Sequence, residues 1–224
     1  MTIPAALYKA FAQLSDPRLR RILLFGVAAA LACWAALAMG ASAVLRQVHL
    51  FDNALAQTSA EIVLVLTALL LPILFFSALA TFVMSFWLDD VAGIVEAEHY
   101  PHLAPAREMG WAEILKGSLR FLLVMVLITA LAAPFYLALL FLGFGIILNY
   151  GVNGYLLGRE YFELVAARRL EPEAMRLTFG NNLGRLWLCG AAINLLFQIP
   201  ILNLTAPVVA TSFMVHIFHS LRTE

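Results

Sequence analysis

Between Arg185 and Arg222 run 36 residues without a Lys, Arg, Asp or Glu, and no other feature narrows the fold as much. One membrane span needs roughly 20 apolar residues, at about 1.5 Å of rise each across about 30 Å of hydrocarbon. The segment is therefore too long for a single crossing. Its middle reads Gln198-Ile199-Pro200-Ile201-Leu202-Asn203-Leu204-Thr205-Ala206-Pro207. Pro200 removes a backbone donor and clashes with the preceding turn, Asn203 is polar at depth, and Pro207 can open a new helix. The pattern predicts helix, turn, helix. Each arm has 14 residues, about 21 Å of helix, which does not reach across the bilayer. A hairpin that enters and returns on one side fits these lengths, provided that its turn is buried in protein or lines a watery cavity. Two short or tilted complete spans are the alternative.

A second overlong segment lies between Arg120 and Arg159, with 38 uncharged residues interrupted by Pro134, Gly143, Gly145, Gly151 and Gly154. Folded at its centre near Pro134, it repeats the first arrangement, and a pair of interrupted segments points to a transport site. Glycine and proline are also simply commoner in membrane helices. With 63% hydrophobic and 12% charged residues and a mean hydropathy of +0.90, the chain falls among polytopic membrane proteins. The formal net charge is zero, so no overall field favours nucleic acid. Cys33 and Cys189 lie in apolar segments and form neither a CxxC nor a zinc-ligand spacing. No P-loop, nucleophile elbow or dinucleotide fingerprint is present, so neither an enzyme, a cofactor nor a metal is expected.

Taken in order, residues 1–21 form an amphipathic segment with Leu7, Tyr8, Phe11 and Leu14 at helical spacing, suited to a membrane surface. Ser15 or Asp16 can cap a helix whose first position is Pro17. Residues 22–45 then make a first span. Its end at Ala41-Ser42-Ala43 looks like a cleavage site, but the long polar leader and the equally apolar chain downstream predict that it stays uncleaved. Residues 62–88 make a second span, with Pro72 as a kink. Residues 89–120 form a charged loop with short surface helices. Residues 158–185 carry interfacial helices, one opened by Pro172 and closed at Gly180-Asn181-Asn182. The expected architecture is an all-α integral membrane protein, a single polytopic domain over 1–224. It has two long transmembrane helices, two broken, hemi-penetrating helical hairpins at 121–157 and 186–221, and interfacial amphipathic helices. With that topology 13 of the 14 Lys and Arg fall on one side and only Arg46 on the other. The positive-inside rule then puts both termini in the cytoplasm.

Arg18, Arg20 and Arg21 follow the cap at the start of the first span. A helix N-terminus offers free N–H groups and the positive end of the dipole, and guanidinium groups match tetrahedral oxyanions. The same arginines are also what a plain topology signal requires, and Asp16 at the cap competes with an incoming anion. His216 and His219, three apart on one helical face near the membrane exit, are suited to a proton relay or to an interfacial position. The stretch from Leu88 to His102 holds four carboxylates and two imidazoles without the spacing of a metal site. Gly154 and Gly158 form a GxxxG, which permits close helix packing and self-association.

Four elements together resemble a known family. They are Leu14-Ser15-Asp16-Pro17-Arg18-Leu19-Arg20-Arg21, the stretch from Leu88 to Pro101, Gly158-Arg159-Glu160-Tyr161-Phe162-Glu163-Leu164-Val165-Ala166-Ala167-Arg168-Arg169, and Ile199-Pro200-Ile201-Leu202-Asn203 with Pro207. Their order is similar to that of the CysZ sulfate permeases and their etoposide-induced-protein relatives, bacterial members included. The resemblance implies a bacterial inner-membrane protein that takes up sulfate or a similar small anion, as a homodimer or higher homo-oligomer, with Arg20 and Arg21 in the anion-binding role. It also implies two spanning helices and two half-membrane hairpins. In the transporters glycine tends to follow the proline, a position held here by Arg18. On this reading Arg18 adds a third charge or blocks close approach, Pro134, Pro200 and Asn203 mark the pore at the hairpin breaks, and His216 and His219 supply proton coupling. The eukaryotic relatives suggest a second reading, a non-transporting scaffold that recruits a partner through its charged loops, Arg168 and Arg169 among them.

Overall fold

A computed structural model describes residues 1–45, 80–107, 110–141 and 145–222. Every regular element among them is helical: α1 (Ile3–Ala12), a 3-10 turn (Gln13–Ser15), α2 (Pro17–Leu45), α3 (Leu88–His99), α4 (Trp111–Phe141), α5 (Gly145–Ala166), α6 (Pro172–Asn181), α7 (Leu183–Gln198), α8 (Pro200–Asn203) and α9 (Ala206–Arg222). The chain divides into two compact units. One comprises Met1–Leu19 with Leu88–Glu224, the other Arg20–Trp87.

Prolines and caps set the helix starts. Asp16 has extended backbone, and its Oδ1 accepts the backbone N–H of Arg18 at 2.7 Å. It thereby satisfies one of the orphan donors at the start of α2, where Pro17 has none to offer. Pro172 opens α6 behind an extended Glu171. At the expected break α7 stops at Gln198, Ile199 is extended, and Pro200 opens the single turn of α8 before α9 begins. Other boundaries differ from expectation. The helix α4 starts at Trp111 and runs through Pro134 to Phe141. Pro134 is thus an internal residue of a continuous helix, and residues 142–144 lie outside the described residues. Neighbouring side chains and helices can take over the groups that a proline frees, so a long apolar helix tolerates one.

In the larger unit α9 is the core. Every residue from Ala206 to Ser220 is buried, as expected of a helix that is apolar nearly all round. It packs against α1, α3, α5 and α7. Its partner α1 meets it with the small face of Ala6 and Ala10, both essentially inaccessible, while Tyr8 is left exposed. The pair α5 and α7 makes the most extensive helix contact among the described residues. A Cβ at Gly190 would overlap the Gly154 carbonyl oxygen and the Gly158 backbone, and one at Gly158 would overlap the Leu186 carbonyl oxygen. The GxxxG is therefore spent inside the chain, against Gly190, and Trp187 Nε1 donates to the Gly151 carbonyl at 3.0 Å beside it.

In the smaller unit Gly26 of α2 lies under Met84, and Ala80, Val83 and Met84 are buried. Residues 80–85 are helical. The rest of the expected second span, 62–79, lies outside the described residues. Among those described, one helix is long and apolar enough to cross a membrane, Pro17–Ala36 within α2, and Leu123–Phe135, Leu183–Gln198 and Ala206–Leu221 are shorter apolar helices.

Candidate functional site

The start of α2 places its arginines in different surroundings. Arg18 is exposed, but its guanidinium donates to both carboxylate oxygens of Asp16 and to Glu98 Oε2 at 3.3 Å. The hydrogen bonds from the Arg18 side chain and backbone outweigh burial and hold the Asp16 carboxyl down to about 2. An open cleft of about 600 Å³ adjoins the pair, with Lys9, Gln13 and His99 among its walls. Arg20 and Arg21 are exposed. Neither makes an ion pair among the described residues, and Arg21 stacks 5.6 Å above the Phe25 ring.

A second group of polar residues is buried. Glu96 of α3, only 3% exposed, accepts from Arg168 Nε at 3.2 Å, from Arg169 Nη2 at 2.6 Å and from His219 Nε2 at 3.1 Å. Burial alone would raise its carboxyl, but the hydrogen bonds from His219 and Arg169 and the charges of Arg168 and Arg169 prevail and hold it at about 2. Arg168 also reaches Asp89, so the turn after α5 is clamped onto α3. From His219 the polar chain continues through Tyr100, whose ring lies 4.2 Å from that of His219. Tyr100 Oη is 3.1 Å from His216 Nδ1. On the other edge of His216, Gln13 Nε2 lies 3.0 Å from Nε2, and it also lies 3.1 Å from His99 Nδ1. Gln13 thus bridges the His216 and His99 rings, and His216 lies between Gln13 and Tyr100.

The third group lies where α5 and α7 meet. Asn149 Oδ1 accepts from Asn194 Nδ2 at 2.9 Å and from Gln198 Nε2 at 3.1 Å, and Tyr150 Oη donates to Gln198 Oε1 at 3.4 Å. Asn149 is four residues past the start of α5 and Gln198 is the last residue of α7. The cluster thus sits next to the break at Ile199–Pro200. Among the described residues no three His, Cys, Asp or Glu side chains are grouped to hold a metal ion.

The family model described as Sulfate transporter CysZ/Etoposide-induced protein 2.4 matches residues 6–207. The chain belongs to this family. No curated protein and no solved structure matches it. The family match contains Arg18, Arg20, Arg21, Pro134, Pro200 and Asn203, whereas His216 and His219 lie beyond its end. The structure brings His216 and His219 into one network, on opposite sides of Tyr100. It leaves Pro134 within a continuous helix. Glu96 and Tyr100 lie in the stretch Leu88–Pro101 and Gln198 heads the break, without a role assigned to them from sequence, and Gln13, Asn149 and Asn194 are not singled out by any motif.

Proposed function

We propose that this protein is an inner-membrane anion permease of the sulfate type, with both termini in the cytoplasm. The observation that carries this reading is the pair Arg20 and Arg21, exposed in the first turns of an apolar helix and without an ion pair among the described residues, in a chain of the sulfate transporter CysZ family. Free guanidinium groups near a helix N-terminus suit a tetrahedral dianion. Arg18, half neutralised by Asp16 and Glu98, serves as a weaker third cation. The break at Pro200–Asn203 then forms the tip of a half-membrane hairpin, and a homodimer or larger assembly seals the path beside it.

Energetics set a condition on the mechanism. Moving a dianion inward against an inside-negative potential costs about 4.6 kcal/mol per 100 mV, twice the value for one charge. This is a more than thousandfold deficit at roughly 1.4 kcal/mol per decade. Entry with protons removes that cost, and His216 and His219, joined through Tyr100, are the residues for them. The scaffold alternative relies on Arg168 and Arg169 as a recruiting surface, and both are engaged with Glu96 inside the protein.

The test is uptake of labelled sulfate into proteoliposomes. The double variant Arg20→Ala, Arg21→Ala is expected to abolish uptake while retaining the wild-type melting profile. Unchanged uptake would remove the arginines from the site, and a wild-type protein that neither binds nor moves sulfate would sink the permease reading.

A further inference from the structure

We propose that His99 is the residue through which protons pass between the buried histidines and the water of the open cleft, and that the Gln13 carboxamide turns between the His99 and His216 rings so that they change protonation without losing their hydrogen bonds. The proposal rests on the permease reading with proton coupling at His216 and His219, and it gives that coupling an outlet to water.

Burial creates the need for an outlet. His216 is inaccessible and His219 is 5% exposed, so neither exchanges a proton with water directly. His99 differs from both. It ends α3, is exposed, and lines the cleft together with Lys9 and Gln13. The cleft lies wholly within the larger unit, and on the proposed topology it opens to the cytoplasm. The His99 ring stands edge-on to that of His216, with centroids 5.0 Å apart. The exposed histidine thus touches the buried one.

The second observation is an acceptor without a partner. Gln13, itself 6% exposed, brings Nε2 to both rings, at 3.1 Å and 3.0 Å, whereas Oε1 of the same amide is buried without a hydrogen bond among the described residues. No contact of the oxygen therefore pins the amide, and its orientation follows the rings. The nitrogen suits two ring nitrogens that accept, and after a half-turn the oxygen suits two that donate. A proton added to the pair turns the amide and leaves both hydrogen bonds in place. The net step takes one proton from His216 Nε2 to His99 Nδ1 and releases one from His99 Nε2 to cleft water, and no other bond changes.

The surrounding charges allow this passage. At the mouth Lys9 and Arg18 are balanced by Asp16 and Glu98. On the inner side Tyr100 adjoins both His216 and His219, and Glu96 with Arg168 and Arg169 lies beyond His219. From α7, Arg185 is engaged with Met1 and Ser220.

The experiment measures two rates in proteoliposomes for wild type and His99→Asn. Asparagine keeps a hydrogen-bonding atom near the place of Nδ1 and does not titrate. The position is exposed, so the wild-type melting profile is expected. The first rate is exchange of labelled for unlabelled sulfate at equal pH on both sides, in which protons that travel with the anion return with it. The second is net uptake driven by an imposed pH gradient with the membrane potential clamped. His99→Asn is expected to keep the exchange rate and to lower the driven rate about tenfold or more, as loss of a positioned proton-transfer group does. An undiminished driven rate would overturn the role of His99 and leave the permease reading standing. Equal loss of both rates would also overturn it, by assigning His99 to packing or to anion binding. Wild-type uptake that ignores the pH gradient would remove proton coupling and the His99 role together and keep the anion permease. A wild-type protein with neither exchange nor uptake would remove the permease reading itself.

Discussion

Glu96 and His219 stand 123 residues apart in sequence, and His219 Nε2 donates to Glu96 Oε1 at 3.1 Å. A carboxylate can only accept, so the proton of this contact sits on His219 Nε2. The same carboxylate receives Arg168 and Arg169. Three parts of the chain, α3, the turn after α5 and the core helix α9, are thus tied at one buried anion. Two guanidinium groups and an imidazole compensate its desolvation, which is the condition under which a buried charge is tolerated.

The pH dependence of stability follows from this site. The Glu96 carboxyl is held at about 2 against an ordinary 4.5. Its folded value lies below its unfolded value, so its contribution is complete above pH 4.5 and is lost as pH falls from there towards 2. Melting temperature in detergent is expected to drop across that interval in the wild type. Glu96→Gln, which leaves two arginines without their acid, is expected to cost about 3 kcal/mol near neutral pH and to show a flatter acid limb. A variant with the wild-type acid limb would show that the carboxylate does not carry it.

Arg168 gives a related expectation with a different readout. Its guanidinium links Asp89 to Glu96 and lies 3.2 Å from where a Gly93 Cβ would stand. Arg168→Ala is expected to lower stability by roughly 2 kcal/mol, since Glu96 keeps Arg169 and His219 and is not left alone. Arg176→Ala, at a site with no ion pair among the described residues, is expected to stay within about 0.5 kcal/mol. Thermal melts of the two variants check this. Equal melting temperatures would show that the Arg168 contacts contribute nothing to stability.

The glycines of the α5–α7 contact separate close packing from mere helix propensity. At Gly190 a methyl group would meet backbone atoms of Gly154 and Gly158, which cannot move aside as a side chain can. Gly190→Ala is therefore expected to cost at least about 3 kcal/mol, the upper range for overpacking. At Gly151 nothing lies within 4 Å of the added carbon, and Gly151→Ala is expected to be neutral or to stabilise by about 0.5–1 kcal/mol through helix propensity. Chemical denaturation of the two variants decides the matter, and a stable Gly190→Ala would contradict the close approach.

Much of this fold is legible in the sequence because helix boundaries are written in local chemistry. Asp16-Pro17, Pro172 and Pro200 each open a helix where capping and the missing proline N–H require it. Pro134 misleads for the same reason, since inside a long apolar helix its freed carbonyl is a tertiary matter and no local signal reports it. The site is less legible. Glu96 falls on the stripe Leu88, Val91, Ala92, Val95, and Asn194 on the stripe Leu186, Cys189, Gly190, Ile193. A polar residue on the apolar face of a helix is a readable sign that a partner waits elsewhere. Which partner it finds, His219 across 123 residues or Asn149 across 45, depends on how the helices pack.

Asp16 offers the most direct test of the anion site. It does two things at once, capping α2 through the Arg18 N–H and neutralising the Arg18 guanidinium. Asn keeps the first role and abandons the second, because its amide oxygen caps as well as a carboxylate does and carries no charge. Asp16→Asn is therefore expected to leave stability within about 0.5 kcal/mol and to tighten sulfate binding several-fold, as Arg18 loses its main counter-charge and keeps only the longer contact to Glu98. Asp16→Ala is expected to gain the same affinity while losing about 1 kcal/mol of stability with the cap. Calorimetric titration with sulfate, run beside thermal melts, distinguishes the two effects. If neither Asp16→Asn nor the double variant Asp16→Asn, Glu98→Gln binds sulfate more tightly than wild type, Arg18 has no part in the site, and recognition is left to Arg20 and Arg21.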